Sequence, residues 1–271
     1  MEKDKKSGNF NQKSVLKTEN LVIGYSAKAK EKVIAETINI DLQAGNLVGL
    51  IGVNGSGKST LIRTLSGLQE KLGGSIFLGN EKKLEQISAE DRSRIISVVL
   101  TGQAISKNLS VFELVALGRQ PYTNWLGKLS HTDFQIIEDA LAATELQELK
   151  YEKCHTLSDG QLQRALIARA LAQDTDLIIL DEPTTHLDLH HKASVLSLLK
   201  NICKQTSKTI LFSTHDIELV LPLCDQLIVM QDKKVVINTP KKLIEDDVFS
   251  HLFPENTIGF DKKTQRFFLK K

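Results

Sequence analysis

Gly52-Val53-Asn54-Gly55-Ser56-Gly57-Lys58-Ser59 puts glycine, lysine and a hydroxyl at every fixed position of the G-x-x-x-x-G-K-[ST] phosphate loop. The chemistry that spacing serves is the grip on a nucleoside triphosphate. Glycines let backbone N–H groups turn inward around anionic oxygens, where a Cβ would obstruct them. The helix that follows adds the partial positive charge of its N-terminus. Lys58 then has the reach for the β- and γ-phosphates, and the Ser59 hydroxyl suits a Mg²⁺ ion.

A second run, Leu177-Ile178-Ile179-Leu180-Asp181-Glu182-Pro183, predicts a buried strand that ends in two acids. In parallel sheets ligands bind at that end of the strands. Asp181 is expected to hold Mg²⁺ through water. Glu182 is expected to accept a proton from the water that attacks the γ-phosphate.

Apolar runs of four to six residues alternate with helical patterns, the signature of an α/β chain with a mainly parallel, covered sheet. Residues 47–51, 95–100, 177–180 and 209–212 read as buried strands. Residues 21–23, 38–42 and 75–78 are shorter and more alternating, and read as antiparallel. Between residues 100 and 177 the pattern is helical without a strand signal, which suggests an inserted helical subdomain. Three helix starts there have the spacing of a capping box: Ser110…Glu113, Thr132…Gln135 and Ser158…Gln161. Residues 227–230 and 235–237 read as strands joined by a turn. Pro240 opens a last helix reaching toward residue 253, and residues 257–260 and 266–269 read as a terminal hairpin.

Composition narrows the partners. The 271 residues are 41% hydrophobic, 25% charged and 5% aromatic, with a net charge of +2. That charge supplies no basic field for nucleic acid, and so few aromatics argue against base-stacking platforms. No run reaches the roughly 18 apolar residues of a membrane-spanning helix, so a membrane role is expected to come through a partner. Residues 1–14 are polar and read as a disordered tail rather than a signal or anchor. Cys154, Cys203 and Cys224 are scattered without ligand spacing and read as small buried apolar residues in a reduced compartment.

Leu157-Ser158-Asp159-Gly160-Gln161, followed by a long helical stretch, resembles the L-S-G-G-Q signature of ATP-binding-cassette (ABC) ATPases, with Asp in third place. By spacing alone it is equally a capping box. It nevertheless precedes Asp181 at the family's distance. His186-Leu187-Asp188 resembles the family's D-loop, His215 its switch histidine, and Tyr25 the aromatic that stacks on adenine. The resemblance covers roughly residues 18 to 240. It implies a P-loop NTPase (ABC ATPase) fold with a RecA-like core, an antiparallel β subdomain and a helical subdomain at about 104–160. The cassette would span residues 15–240, with a helix and hairpin over 241–271.

The same resemblance implies site roles. Lys58, Glu182 and His215 would be catalytic. Tyr25, Asn54, Gly55, Ser56, Gly57, Lys58, Ser59 and Thr60 would hold ATP, while Ser158, Gly160, Gln161 and Asp188 would reach the ATP of a second copy in a head-to-tail homodimer. Mg²⁺ would fall to Ser59 and Asp181. The family's glutamine after the strand at 95–100 is missing: Thr101 stands there by count, and Gln103 follows two places later, so either takes that role.

Residues 110–125, Ser-Val-Phe-Glu-Leu-Val-Ala-Leu-Gly-Arg-Gln-Pro-Tyr-Thr-Asn-Trp, are similar to the ATPase subunits of bacterial importers for iron-siderophore, haem and cobalamin complexes. This implies an ATPase at the cytoplasmic face of the inner membrane, powering permease subunits served by a substrate-binding protein. Residues 119–125 would meet the permease, unless Tyr122 and Trp125 pack inside the helical subdomain. Another ABC importer or an exporter is the alternative, and a soluble ABC ATPase a more distant one.

Overall fold

The computed structural model describes residues 13–27, 30–79, 82–102, 106, 108–253 and 257–270. The chain begins with an antiparallel layer in which β1 (Ser14–Ala27) pairs with β2 (Lys30–Ile38) and with β3 (Asp41–Gln43). β4 (Leu47–Gly52) enters the phosphate-loop segment, and α1 (Lys58–Leu65) leaves it. β5 (Gly73–Leu78) returns to β1, and β6 (Lys82–Lys83) adds to β5. After α2 (Ala89–Ser93) and β7 (Ile96–Val99) come three helices, α3 (Val111–Ala116), α4 (His131–Ala143) and α5 (Asp159–Ala172). The rest alternates: β8 (Leu177–Leu180), α6 (Leu189–Thr206), β9 (Thr209–Ser213), α7 (Ile217–Val220), β10 (Gln226–Gln231), β11 (Lys234–Asn238) and α8 (Pro240–Glu245). A hairpin of β12 (Ile258–Asp261) and β13 (Arg266–Leu269) follows.

The central sheet runs in the order β11-β10-β4-β9-β8-β7, parallel throughout except where β11 returns along β10. Every residue of β4, β8 and β9 is buried, which is why these strands read as continuous apolar runs rather than alternating ones. Alternation is hidden inside the runs. Ile178, Leu180, Ile210, Phe212, Leu227 and Val229 face one apolar layer, while Leu177, Ile179, Leu211, Ile228 and Met230 face the other. The first layer is closed by α3 to α8, the second by α1 and the antiparallel strands. Each fully buried Leu or Ile stabilises the sheet by about 1.5–3 kcal/mol. Because the strands are parallel, the chain ends of β4, β8 and β9 meet at one edge, and the candidate site lies there.

Several expectations change. β1 opens at Ser14, inside the span read as a tail, because Ser14, Leu16 and Lys17 pair with β3; residues 1–12 lie outside the described residues. Residues 38–42 are not one strand: Ile38 ends β2, and β3 starts only at Asp41. β2 itself, rich in charge, is an addition. The cap of α4 is Ser130 rather than Thr132. Ser130 Oγ accepts from Asp133 N, and Asp133 Oδ2 takes the Ser130 N–H at 2.8 Å, so an aspartate performs the reciprocal step expected of Gln135. The boxes at Ser110 and Ser158 form as expected. The last helix stops at Glu245, because Asp247 turns left-handed (φ 61°) and brings Phe249 and Leu252 onto the core as a separate 3-10 turn. Between β7 and β8 the named elements among the described residues are all helices, joined by turns and one isolated bridge between Ser110 and Lys153, and α5 runs on past residue 160 to Ala172. The three cysteines are buried and unbonded, and burial pushes the Cys203 thiol up to about 12.

Candidate functional site

At the end of β4 two glycines are required by geometry. A Cβ on Gly52 would stand 2.6 Å from the Met230 carbonyl oxygen and 2.7 Å from Ser56 Oγ. Gly57, which caps α1, has φ +105° and would meet Ile34 Cγ2 at 2.3 Å. The loop thus curls tightly over the start of α1. Inside it, Ser56 Oγ is buried and is the one such side-chain atom among the described residues without a hydrogen-bond partner. An orphan donor inside a glycine cradle suits an anion.

Lys58 points back into the same loop. Its Nζ donates to the carbonyl oxygens of Gly52 (2.9 Å) and Val53 (3.3 Å), and the side chain is almost wholly buried. Burial lowers its pKa from the usual lysine value, against the pull of Glu182 and Asp181, which raise it. An arriving polyanion would restore the environment that burial removes.

The acids stand across from the lysine. Asp181 is buried and takes hydrogen bonds on Oδ1 from Ser213 Oγ (2.7 Å) and Ser59 Oγ (3.3 Å). Hydroxyl and carboxylate oxygens together form a donor set suited to a hard divalent cation that keeps water and phosphate as its other ligands. Glu182 sits in the left-handed region (φ 50°), and its N–H donates to Ser213 Oγ at 2.8 Å. That turn aims its carboxylate at His215, whose Nε2 lies 2.5 Å from Oε1, while Thr185 Oγ1 donates to Oε2 at 3.0 Å.

A cleft of about 420 Å³ joins these parts. It is lined by Asn54, Gly55, Gly57, Lys58, Ser59 and Thr60 on the loop side and by Glu182 and His215 opposite, and Tyr25, Lys32 and Ile34 complete it. Tyr25 is half exposed and its hydroxyl lies 2.9 Å from Thr60 Oγ1. Thr101 donates to the Asp181 carbonyl at 2.8 Å, one bond from the acidic pair, whereas Gln103 lies outside the described residues.

Ser158, Gly160, Gln161 and Asp188 are not part of this cleft. The first three line a separate cleft of about 280 Å³ with His190 and His191. Ser158 caps α5 and Asp188 caps α6, so both helix N-termini present there. The sequence reading thus resolves into two half-sites on one chain.

Four contributors escaped the sequence, among them Ile34, which lines the cleft from β2. Ser213 holds both acids, Thr185 steadies Glu182, and Lys32 faces Tyr25 across the β1–β2 ladder. Only Ser213 left a signal, as a hydroxyl closing an apolar strand just before His215. Arg119, placed by sequence in a partner-facing loop, is buried instead: its Nε bonds Asp133 at 2.8 Å and its Nη1 bonds the Ala172 carbonyl at 2.9 Å. Tyr122 rests on that guanidinium, 4.0 Å from ring centre to Cζ, and Trp125 is 91% exposed.

Fold and site together define a P-loop NTPase. The family model described as ABC transporter matches residues 35–185, and the chain belongs to that family. It is 36% identical to the petrobactin import ATP-binding protein FpuD of Bacillus anthracis, over 88% of this chain and 86% of that one. It is likewise 36% identical to the iron(3+)-hydroxamate import ATP-binding protein FhuC of Bacillus subtilis, over 93% and 92%. Among solved structures, the dimeric bacterial ABC transporter cassette MJ0796 superposes with a TM-score of 0.70 at 25% identity, covering 83% of this chain and 98% of that one.

Proposed function

We propose that the chain is the ATP-hydrolysing subunit of a membrane importer of metal chelates, such as iron-siderophore, haem or cobalamin complexes. It works as a homodimer at the cytoplasmic face of the inner membrane, beneath permease subunits served by a substrate-binding protein. The observation that carries the reading is the convergence of Lys58, Ser59, Asp181, Glu182 and His215 around a glycine cradle whose Ser56 hydroxyl has no partner. The names of the petrobactin and iron(3+)-hydroxamate relatives support the chelate class.

In this reading Tyr25, with Lys32 and Ile34, receives the adenine side of ATP, and residues 54–60 wrap the phosphates. Lys58 transfers its donors from the Gly52 and Val53 carbonyls to phosphate oxygens. Ser59 and Asp181 would hold Mg²⁺, with Thr101 the nearby candidate for the missing glutamine's contact; the ion, when bound, neutralises phosphate charge. Glu182 takes a proton from the attacking water as the bond to the γ-phosphorus forms and the bond to the bridging oxygen breaks, leaving ADP and phosphate. Thr185 and His215 fix the direction of its carboxylate. Ser158, Gly160, Gln161 and Asp188 serve the nucleotide of the second copy, because they line no part of their own chain's phosphate-loop cleft. The N–H groups at the start of α5 suit that anion.

Reconstitution tests the transport assignment. The chain, assembled with its permease subunits in proteoliposomes, is expected to hydrolyse ATP faster when the binding protein carries a ferric siderophore or cobalamin. Failure of every metal chelate to stimulate it would overturn the importer reading.

A further inference from the structure

One side chain that the proposed reaction does not use sits between the two helix starts of the second cleft. His191 lies in the first turn of α6, and its ring covers Gly160: a Cβ there would stand 2.9 Å from His191 Cδ2. Its Nδ1 is 2.8 Å from Asp188 Oδ1, the same oxygen that accepts the His191 backbone N–H at 2.8 Å. A carboxylate cannot donate, so Nδ1 carries the proton and gives it to Asp188. One imidazole therefore touches the signature turn on one side and the D-loop on the other. A second tie lies one turn deeper, where Arg164 of α5 donates to Ser194 Oγ of α6 at 2.7 Å and pairs with Glu145 beyond the end of α4.

We infer that His191 is a positioning residue that joins Ser158-Asp159-Gly160 and Asp188 into a single preformed surface for the nucleotide of the second copy. The inference rests on the homodimer reading given above. Its physical basis is preorganisation: two contact elements already fixed to each other lose less freedom on docking than two that move independently. Without the tie, closure of the dimer should weaken roughly tenfold, the equivalent of ordering one or two side chains. Nucleotide capture by the phosphate loop should not change, because His191 lines no part of that cleft.

The test uses the full chain carrying Glu182→Gln, with dimerisation in Mg²⁺ and ATP followed by sedimentation velocity. Three additions are compared: His191→Ala, His191→Phe, which keeps a ring over Gly160 but no donor, and His191→Asn, which presents an amide N–H to Asp188. Ala is expected to weaken the dimer at least tenfold. Phe and Asn each keep one of the two contacts and are expected to recover only part of the loss. Full recovery by Asn, which has no ring over Gly160, would overturn the bridging role. Affinity of the dilute monomer for a fluorescent ATP analogue should match the parent in all three. Dimerisation equal to the parent in every variant would overturn the inference, as would a parallel loss of monomer affinity. Rescue by Phe and not by Asn would overturn the role given to the hydrogen bond. If the Glu182→Gln parent itself never dimerises, it is the homodimer reading that falls, a result distinguishable from failure of the tie.

Discussion

In the proposed mechanism Glu182 is the residue on which turnover depends. Its backbone is in an unfavourable region for a side chain of that size, and Ser213, Thr185 and His215 hold it there. Strain of this kind persists where it aims a group, and here it aims a carboxylate into the cleft beside Lys58. Replacement by Gln keeps shape and hydrogen bonding but removes the proton acceptor. Glu182→Gln is therefore expected to bind ATP with near-normal affinity while hydrolysis falls by about 10²–10⁴-fold, measured as phosphate release. Near-normal hydrolysis would remove Glu182 as the base. Asp181 and Glu182 were legible because they are adjacent in sequence at a strand end. Ser213 and Thr185 were not, because their contacts depend on how β8 and β9 align, with Leu180 beside Phe212.

At the scale of elements, the helical region is fixed by the buried Arg119–Asp133 pair, which joins the segment after α3 to the start of α4 and to the end of α5. Such a pair adds little net stability, yet removing one partner strands the other charge. Asp133→Asn is expected to lower unfolding free energy by about 3 kcal/mol in urea titrations near neutral pH. Burial raises the Asp133 pKa, but the hydrogen bonds from Ser130 and the Arg119 pair outweigh it and hold the carboxyl below its usual value. A group with a depressed folded pKa contributes its stability above the unfolded value of about 4 and loses it as pH falls through the folded one. The gap between native chain and variant should accordingly close on acidification below pH of about 4; a gap that holds constant would contradict the ion pair. Trp125 belongs to the opposite case. Almost fully exposed, it should tolerate Ala with an unfolding shift within about 0.5 kcal/mol, while stimulation of ATP hydrolysis by permease subunits is lost. Intact stimulation would remove Trp125 from the docking surface.

The elements also divide into those readable in advance and those not. Strands buried on both faces announced themselves as apolar runs. β2 did not, because Lys30, Glu31, Lys32 and Glu36 look like surface loop. Only its pairing with β1 and the burial of Ala35 and Ile38 make it a strand. The capping of α4 was misplaced by two residues because Asp133 does the work sought from a longer side chain. The break after α8 follows from Asp247, whose left-handed turn has no periodic signature.

For the whole molecule, the separation of the two clefts is what the proposed homodimer mechanism rests on. One chain offers a phosphate loop with its acids and, elsewhere, the capped starts of α5 and α6. In the proposed homodimer, two copies related by a two-fold axis would bring each set to the other and close two nucleotides at once. On that proposal ATP would favour the closed dimer and hydrolysis would release it. Moving such an equilibrium from 1:99 to 99:1 takes about 5.5 kcal/mol of differential binding, a modest demand on two triphosphates. The most direct measurement is the sedimentation velocity of the full Glu182→Gln chain across a wide concentration range. It should run as a dimer with Mg²⁺ and ATP and as a monomer with ADP or no nucleotide. A chain that binds ATP yet stays monomeric at every concentration would contradict the shared site.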